Sequence, residues 1–313
     1  MALDPSCGRI ALIANPAAQN GRGAWAAVEA ASLLRARVGD EGFQLLLTER
    51  PRHATALAAS LDPSVGTVVA LGGDGLISEV AAGLMERPVD ERPALGVIPV
   101  GSGNDYAASL GVPTSIGRAI DCVLAGRTAV VDVGRVNGRY FVETLSFGLD
   151  AAIALDTVER RVRTGRTGTR LYLESAVDQL FRHLSIYDFT ARLTGGDAAA
   201  TRTVSAAAYR LAVQIGPTYG GHFRICPGAE LDDGLLDLCY ATPHLGPWKA
   251  LAVLLAAKGG RHTGNRHIHL DRASRLVLDF AEEPPGQIDG EKIEGTHFEI
   301  DCIPRSLTVI VGK

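Results

Sequence analysis

Three glycine-rich segments of this chain pair backbone that can approach an anion with side chains that can hold a cation or its water. Leu71-Gly72-Gly73-Asp74-Gly75 sets three glycines within four residues around one carboxylate. Glycine permits positive φ and lets N–H groups come close to a phosphate, and Asp74 is placed to hold a water or Mg2+ beside it. Pro99-Val100-Gly101-Ser102-Gly103-Asn104-Asp105 adds a hydroxyl, an amide and a carboxylate suited to phosphate and metal–water contacts, with Asp105 also a candidate helix cap. Asn15-Pro16, leading into Gly21 and Gly23, offers N–H groups and a helix N-terminus to an anion, although an ordinary strand-to-helix loop is the plainer account of it. None of the three is a P-loop or a dinucleotide G-x-G-x-x-G, because the spacing and the lysine are missing. Two acidic turns complete the set. Leu231-Asp232-Asp233-Gly234-Leu235-Leu236 reads as a β-turn whose carboxylate and carbonyls also suit Mg2+ or Ca2+, and Ile288-Asp289-Gly290-Glu291 reads as a hairpin turn on an acidic surface stretch.

These segments need elements to hold them. Apolar runs at residues 9–14, 43–47, 67–71 and 95–99 are strand-length, and helical spacing occupies 24–38, 52–61 and 77–85. Strands alternating with helices predict a parallel sheet with βαβ crossovers, and the three glycine-rich segments then fall at strand C-terminal ends, where open α/β sheets bind ligands. Beyond about residue 125 the texture changes. Strand-like runs at 130–136, 140–146, 204–215, 235–241, 275–280 and 307–311, with turns at Asn137-Gly138 and Asp233-Gly234, predict antiparallel sheets interrupted by one helix near 168–184. The domain boundary is expected between residues 126 and 130.

Composition sets the remaining bounds. The chain of 313 residues is long enough for a sizeable core, and its net charge of −4 gives no global pull toward nucleic acid. The five cysteines, Cys7, Cys122, Cys226, Cys239 and Cys302, form no C-x-x-C pair and read as buried thiols in a reducing compartment. The N-terminus lacks the pattern of a signal peptide, and the most apolar helical stretch, 250–257, is too short to span a bilayer, so the expectation is a cytoplasmic protein. Charge is nevertheless uneven: residues 160–210 hold nine arginines against four acids, and 258–275 hold five basic residues, one acid and three histidines. Such stretches are either solvated faces or sites of docking on anionic headgroups at the inner face of a membrane.

The order NP…G-x-G, GGDG, P-x-G-S-G-N-D, L-D-D-G-L-L-D and I-D-G-E resembles the diacylglycerol kinase catalytic-domain family, in particular its bacterial lipid kinases, over nearly the whole chain. GGDG alone is shared with NAD kinases; G-S-G-N-D and the later acidic motifs favour the lipid-kinase branch. The resemblance implies an N-terminal α/β nucleotide-binding domain, residues 1–128 completed by 304–313 as the last strand returns to it. It further implies an antiparallel β-sandwich substrate domain at 129–303, with ATP in the cleft. Carried over by position, Asn15, Thr48, Gly72, Gly73, Asp74, Gly75, Ser78, Ser102, Asn104 and Asp105 line the ATP site. Asp289 matches the family's general base, with Asp74 and Glu291 supporting the chemistry. Asp233, with the carbonyls of Leu236 and Leu238, matches its metal site, holding Mg2+ or Ca2+. The implied activity is ATP- and Mg2+-dependent phosphorylation of a diacylglycerol-like or sphingoid-like lipid drawn from a membrane surface. A nucleotide- or lipid-binding relative without catalysis and an NAD kinase are the alternatives. No nucleic-acid partner is expected, and the oligomeric state is open, with a homodimer as one reading.

Four positions depart from the family pattern. Leu76 and Ser78 stand where Thr and Asn are usual, which removes a hydroxyl beside the phosphates if that loop touches them. In the second domain Ile215 replaces a common Asn and His222 a common Gly, changes that bear on the acceptor site.

Overall fold

In the computed structural model, which describes residues 8–19, 21–166, 169–196, 201–243 and 245–312, the aliphatic runs of the N-terminal part become the strands of a parallel sheet. Cys7 and Gly168 lie outside the described residues. The chain divides into two units, Met1–Val131 with Arg305–Lys313, and Asp132–Pro304.

In the first unit the elements are β1 (Arg9–Ala14), α1 (Arg22–Val38), β2 (Phe43–Leu47), α2 (His53–Ala59), β3 (Val65–Gly72), α3 (Asp74–Met85), β4 (Ala94–Pro99), α4 (Asp105–Ser109) and α5 (Ile116–Ala125). The strands run parallel in the order β2-β1-β3-β4. Ile10, Leu12, Val68, Val69 and Leu71 are fully buried, which is why β1 and β3 read as continuous apolar runs and not as alternating ones. α1 turns Ala26, Ala27, Ala30 and Ala31 inward, small residues that let a helix lie close to the sheet. The strands therefore deliver Asn15, Thr48, Gly72 and the segment after Pro99 to one edge.

β5 (Thr128–Val136) begins in the first unit and continues into the second, whose elements are β6 (Arg139–Phe141), β7 (Thr144–Gly148), α6 (Leu149–Thr164), α7 (Thr169–Arg182), β8 (Tyr187–Thr194), β9 (Arg202–Ala208), β10 (Arg210–Gln214), β11 (Leu236–Ala241), α8 (Pro247–Ala257), β12 (Ile268–Ala273), β13 (Arg275–Phe280), β14 (Gly286–Ile288), β15 (Glu291–Ile293) and β16 (His297–Ile310). One antiparallel sheet has the order β12-β11-β10-β7-β14-β15, and the start of β16 continues β13, β8 and β9 in a second. The end of β16 belongs to the first unit, where Val309 pairs in parallel with Leu95 of β4. Between the two sheets of the second unit, Phe147, Leu211, Val213 and Leu238 meet Phe189, Leu276, Leu278 and Phe298. The rings of Phe147 and Phe298 lie 4.6 Å apart. The opposite face of the six-stranded sheet lies under α6, α7 and α8, through Ile153, Ala176, Leu180 and Val253 against Ala212 and Cys239.

Some local expectations are corrected. The run 204–215 is two strands, broken at Tyr209, whose N–H donates to Ala241 and whose carbonyl accepts from Leu149. Among the described residues the β-rich part holds three α-helices. α6 escapes notice because its sequence interleaves acids and arginines with its apolar positions; its first turn is fixed by a buried ion pair from Asp150 to Arg210 at 3.0 Å. Cys226 and Cys239 are buried thiols, whereas Cys122 and Cys302 are only half-buried. Among the described residues no helix is long and apolar enough to cross a membrane.

The aromatic cluster predicts a specific loss. Phe298→Ala removes a ring that is 1 % exposed and is expected to lower unfolding free energy by about 3–5 kcal/mol, read by urea denaturation.

Candidate functional site

The second and third glycine-rich segments cross at their glycines. A Cβ on Gly101 would stand 2.5 Å from the Gly73 Cα, and one on Gly72 would strike the Leu76 side chain at 2.6 Å. Neither Gly72, Gly73 nor Gly75 has positive φ, so close approach and not left-handed backbone is what requires glycine at Gly72 and Gly73. The crossing is clamped by charge. The Asp74 carboxylate accepts the N–H of Asn104 at 2.9 Å and of Tyr106 at 3.3 Å, and the Val100 N–H donates to the Gly72 carbonyl at 2.8 Å. Asn104, in left-handed backbone at φ 60°, spends its amide on its own loop, accepting from the Gly101 N–H and donating to the Gly101 carbonyl. Gln19 of the first segment donates to that same carbonyl at 2.7 Å. All three segments are thus one assembly, and Gln19 and the Tyr106 N–H are members that the motif reading did not single out.

The other positions fall around it. Asn15 uses its side chain to accept the Ala17 N–H, closing a turn, and the Thr48 N–H donates to Ala14 at the end of the neighbouring strand. Ser102 and Gly75 are exposed, and Ser78 is half-buried on α3. Asp105 is buried in the first turn of α4, with Asn104 and not Asp105 at the N-cap position. Leu76 is buried against Gly72, so its side chain belongs to the packing beneath the loop.

Burial first, and the charge of Asp105 second, push the Asp74 carboxyl up to about 6, against the pull of the two N–H donors. Two carboxylates that repel in this way fit a divalent cation, whose charge would relieve both. Asp74 and Asp105 are the residues that would hold Mg2+ in the first unit.

In the second unit, Asp289 and Gly290 both have positive φ and join β14 to β15 as a two-residue hairpin turn, the geometry that Asp-Gly favours. Gly290 is exposed at the tip of the turn, but Asp289 points inward. The Asp289 carboxylate is 8 % exposed and accepts the N–H groups of Val142 at 2.8 Å, Glu143 at 3.2 Å and Thr144 at 2.8 Å. Glu291 takes Arg139 as an ion-pair partner at 2.7 Å. On β10, opposite Thr144, Gln214 is fully buried with neither amide atom hydrogen-bonded among the described residues, and the Thr144 hydroxyl is likewise unpaired. The sequence signal for it was a lone polar residue ending the run Leu-Ala-Val-Gln.

Asp233 is differently placed. One carboxylate oxygen pairs with Arg272 and the other accepts the Leu235 N–H at 3.0 Å, while Leu236 and Leu238 sit within β11, in register with Ala273 and Asp271 of β12. To take a cation the Asp233 carboxylate would have to give up Arg272, and among the described residues no cluster of three His, Cys, Asp or Glu side chains stands ready to hold a metal ion. His222 lies exposed in left-handed backbone at φ 66°, the conformation that explains why Gly is common there.

Residues 9–136 match the family described as diacylglycerol kinase catalytic domain, and residues 143–311 match the YegS C-terminal NAD kinase beta sandwich-like domain. Over 278 residues the chain is 30% identical to a Yersinia pestis (strain Pestoides F) protein named "Probable lipid kinase YegS-like", covering 86% of this chain and 88% of that one. A Yersinia pseudotuberculosis protein (serotype O:1b, strain IP 31758) of the same name matches to the same extent, 30% over 278 residues. Two solved chains from Bacillus anthracis str. Sterne share the fold. One superposes with a TM-score of 0.78 at 22% identity over 98% of this chain and 99% of its own. The other, described as a diacylglycerol kinase, superposes at 0.72 with 21% identity over 97% of each.

Two outcomes are expected of the clamp. Gly101→Ala forces the loops apart and should lower stability by about 1–3 kcal/mol together with Mg-nucleotide affinity, both read by thermal shift with and without Mg·ATP. A proton on Asp74 competes with the cation, so calorimetric Mg·ATP affinity should hold above pH 6 and fall about tenfold per pH unit below it. Asp74→Asn should bind weakly and without that pH dependence.

Proposed function

Because the chain belongs to the diacylglycerol kinase catalytic-domain family of lipid kinases, we propose that it transfers the γ-phosphoryl group of ATP, with Mg2+, to a hydroxyl of a diacylglycerol-like or sphingoid-like lipid. The observation that carries this reading is the crossing of Gly73 and Gly101 under the Asp74 clamp. It leaves the segments 72–75 and 101–104 with almost no side chain between their backbone and a triphosphate. In phosphoryl transfer the protein mainly positions groups and stabilises charge, and N–H donors already fixed in place need no reorganisation as charge develops. Mg2+, held by Asp74 and Asp105, would supply positive charge against the phosphates.

Asp289 is the candidate base. Its carboxylate is held by three N–H donors, so its direction is set before the acceptor arrives. The lipid oxygen forms a bond to the γ-phosphorus while the bond to the β,γ-bridging oxygen breaks, and the hydroxyl proton passes to Asp289 as this happens. Gln214 and Thr144, with unpaired polar atoms one strand away, supply a donor and acceptors for a second polar group of the acceptor. Leu76 and Ser78 are the departures that favour a relative without catalysis; Leu76 packs against Gly72, which gives that substitution a role beneath the loop, and Ser78 is half-buried on α3.

Incubation of the pure protein with γ-labelled ATP and micellar diacylglycerol or sphingoid lipid tests this. Label is expected in the lipid, falling about 10²- to 10⁴-fold in Asp289→Asn with nucleotide affinity retained. Label in NAD in place of lipid, or equal activity in Asp289→Asn, would contradict it.

A further inference from the structure

α7 and α8 each bury one stripe and present another. α7 buries Leu171, Ala176 and Leu180, and the stripe opposite carries Val177 and Phe181; α8 buries Ala250, Val253, Leu254 and Ala257 and leaves Trp248 and Leu255 outward. The outward stripes join, because the rings of Phe181 and Trp248 meet edge-on at 4.8 Å. Trp248 is 75 % exposed and Leu255 51 %, so neither serves the core. A joined apolar face of this kind, carrying the most amphipathic of aromatic rings, marks an interaction surface.

The charges around it are largely of one sign. The side chains of Arg170 and Arg182 are 86% and 76% exposed, and Lys249 on α8 and Lys258 just after it are exposed. A shallow groove of about 650 Å3 runs beside Phe181 and Val177 with Arg160, Arg170 and Arg182 on its walls. The acids there, Glu174 and Asp178, are each shared between two arginines: Arg166 and Arg170 for one, Arg160 and Arg182 for the other. Arg166, Arg170 and Arg182 are exposed, so their pairs are weak and exchange readily for a phosphate, whereas Arg160 is half-buried and held by Asp156 as well. The chain as a whole carries −4, so this basic face is a local arrangement and not the sign of a basic protein.

We infer that the outer face of α7 and α8 docks on an anionic phospholipid surface, Trp248 and Phe181 entering the headgroup–acyl boundary while Arg170, Arg182 and Lys249 meet lipid phosphates. Aromatic rings amid a cationic rim suit that interface on both counts, apolar burial and charge complementarity. The inference rests on the lipid-kinase reading only in supplying a reason for contact, an acceptor that resides in a bilayer.

The full chain has two tryptophans, Trp25 and Trp248, so Trp25→Phe leaves Trp248 as sole reporter. With phosphatidylglycerol–phosphatidylcholine vesicles and no nucleotide, its emission should shift to the blue and be quenched by brominated acyl chains. The protein should co-sediment with these vesicles, less so as salt rises, and little with phosphatidylcholine alone. Phe181→Ser with Trp248→Ser should lower the partition coefficient at least about tenfold with an unchanged melting curve. Arg170→Glu with Arg182→Glu should remove the phosphatidylglycerol preference. Unaltered emission, equal binding by both double variants, or a concentration-dependent dimer that Phe181→Ser with Trp248→Ser abolishes would each overturn the inference, the last by making a second copy the occupant. Label transfer to micellar lipid is read separately. If it fails while vesicle binding holds, the kinase reading falls and the docking face stands.

Discussion

The first unit depends on one carboxylate holding two backbone N–H groups of another loop. Asp74 leaves β3 on the first residue of α3 and reaches Asn104 and Tyr106 at the start of α4, so two adjacent strand ends become a single surface. The contact is possible only because Gly73 and Gly101 present nothing wider than a Cα hydrogen to each other. It is also strained electrostatically. Burial and Asp105 push the Asp74 carboxyl up to about 6, so at neutral pH the folded protein holds this group as an anion at a cost that the unfolded chain does not bear. A site that stores unfavourable charge is one that gains most from a cation.

The second unit treats its carboxylates in two ways. Asp289 is buried, turned by a left-handed backbone and addressed by three N–H groups, whereas Asp233 and Glu291 are matched with arginines. A guanidinium partner neutralises an acid; N–H donors fix its direction while leaving its charge intact. That contrast separates Asp289 from its neighbours more firmly than the shared D-G pattern of the two turns does.

Much of this was legible in the residues. The glycine-rich segments, the parallel sheet and the antiparallel second part follow from apolar run length, alternation and turn residues, because those signals are local. The reason for the glycines was not, since Gly73 meets Gly101 across 28 positions of sequence, and spacing alone suggests positive φ as readily as close approach. Leu76 read as a lost hydroxyl because its burial beneath the loop is a tertiary fact. α6 was missed where arginines and acids blur its apolar stripe, and Tyr209 hid a strand break that depends on partners in β11 and at the start of α6. The three N–H groups on Asp289 come from residues about 145 positions earlier and leave no mark in sequence.

The most direct test is a crystal structure with Mg2+ and a non-hydrolysable ATP analogue. The triphosphate is expected against the N–H groups of residues 72–75 and 101–104, with the cation on Asp74. A nucleotide bound elsewhere, with these two loops untouched and Asp74 still engaged only by Asn104 and Tyr106, would contradict the assignment of the crossing as the phosphate site.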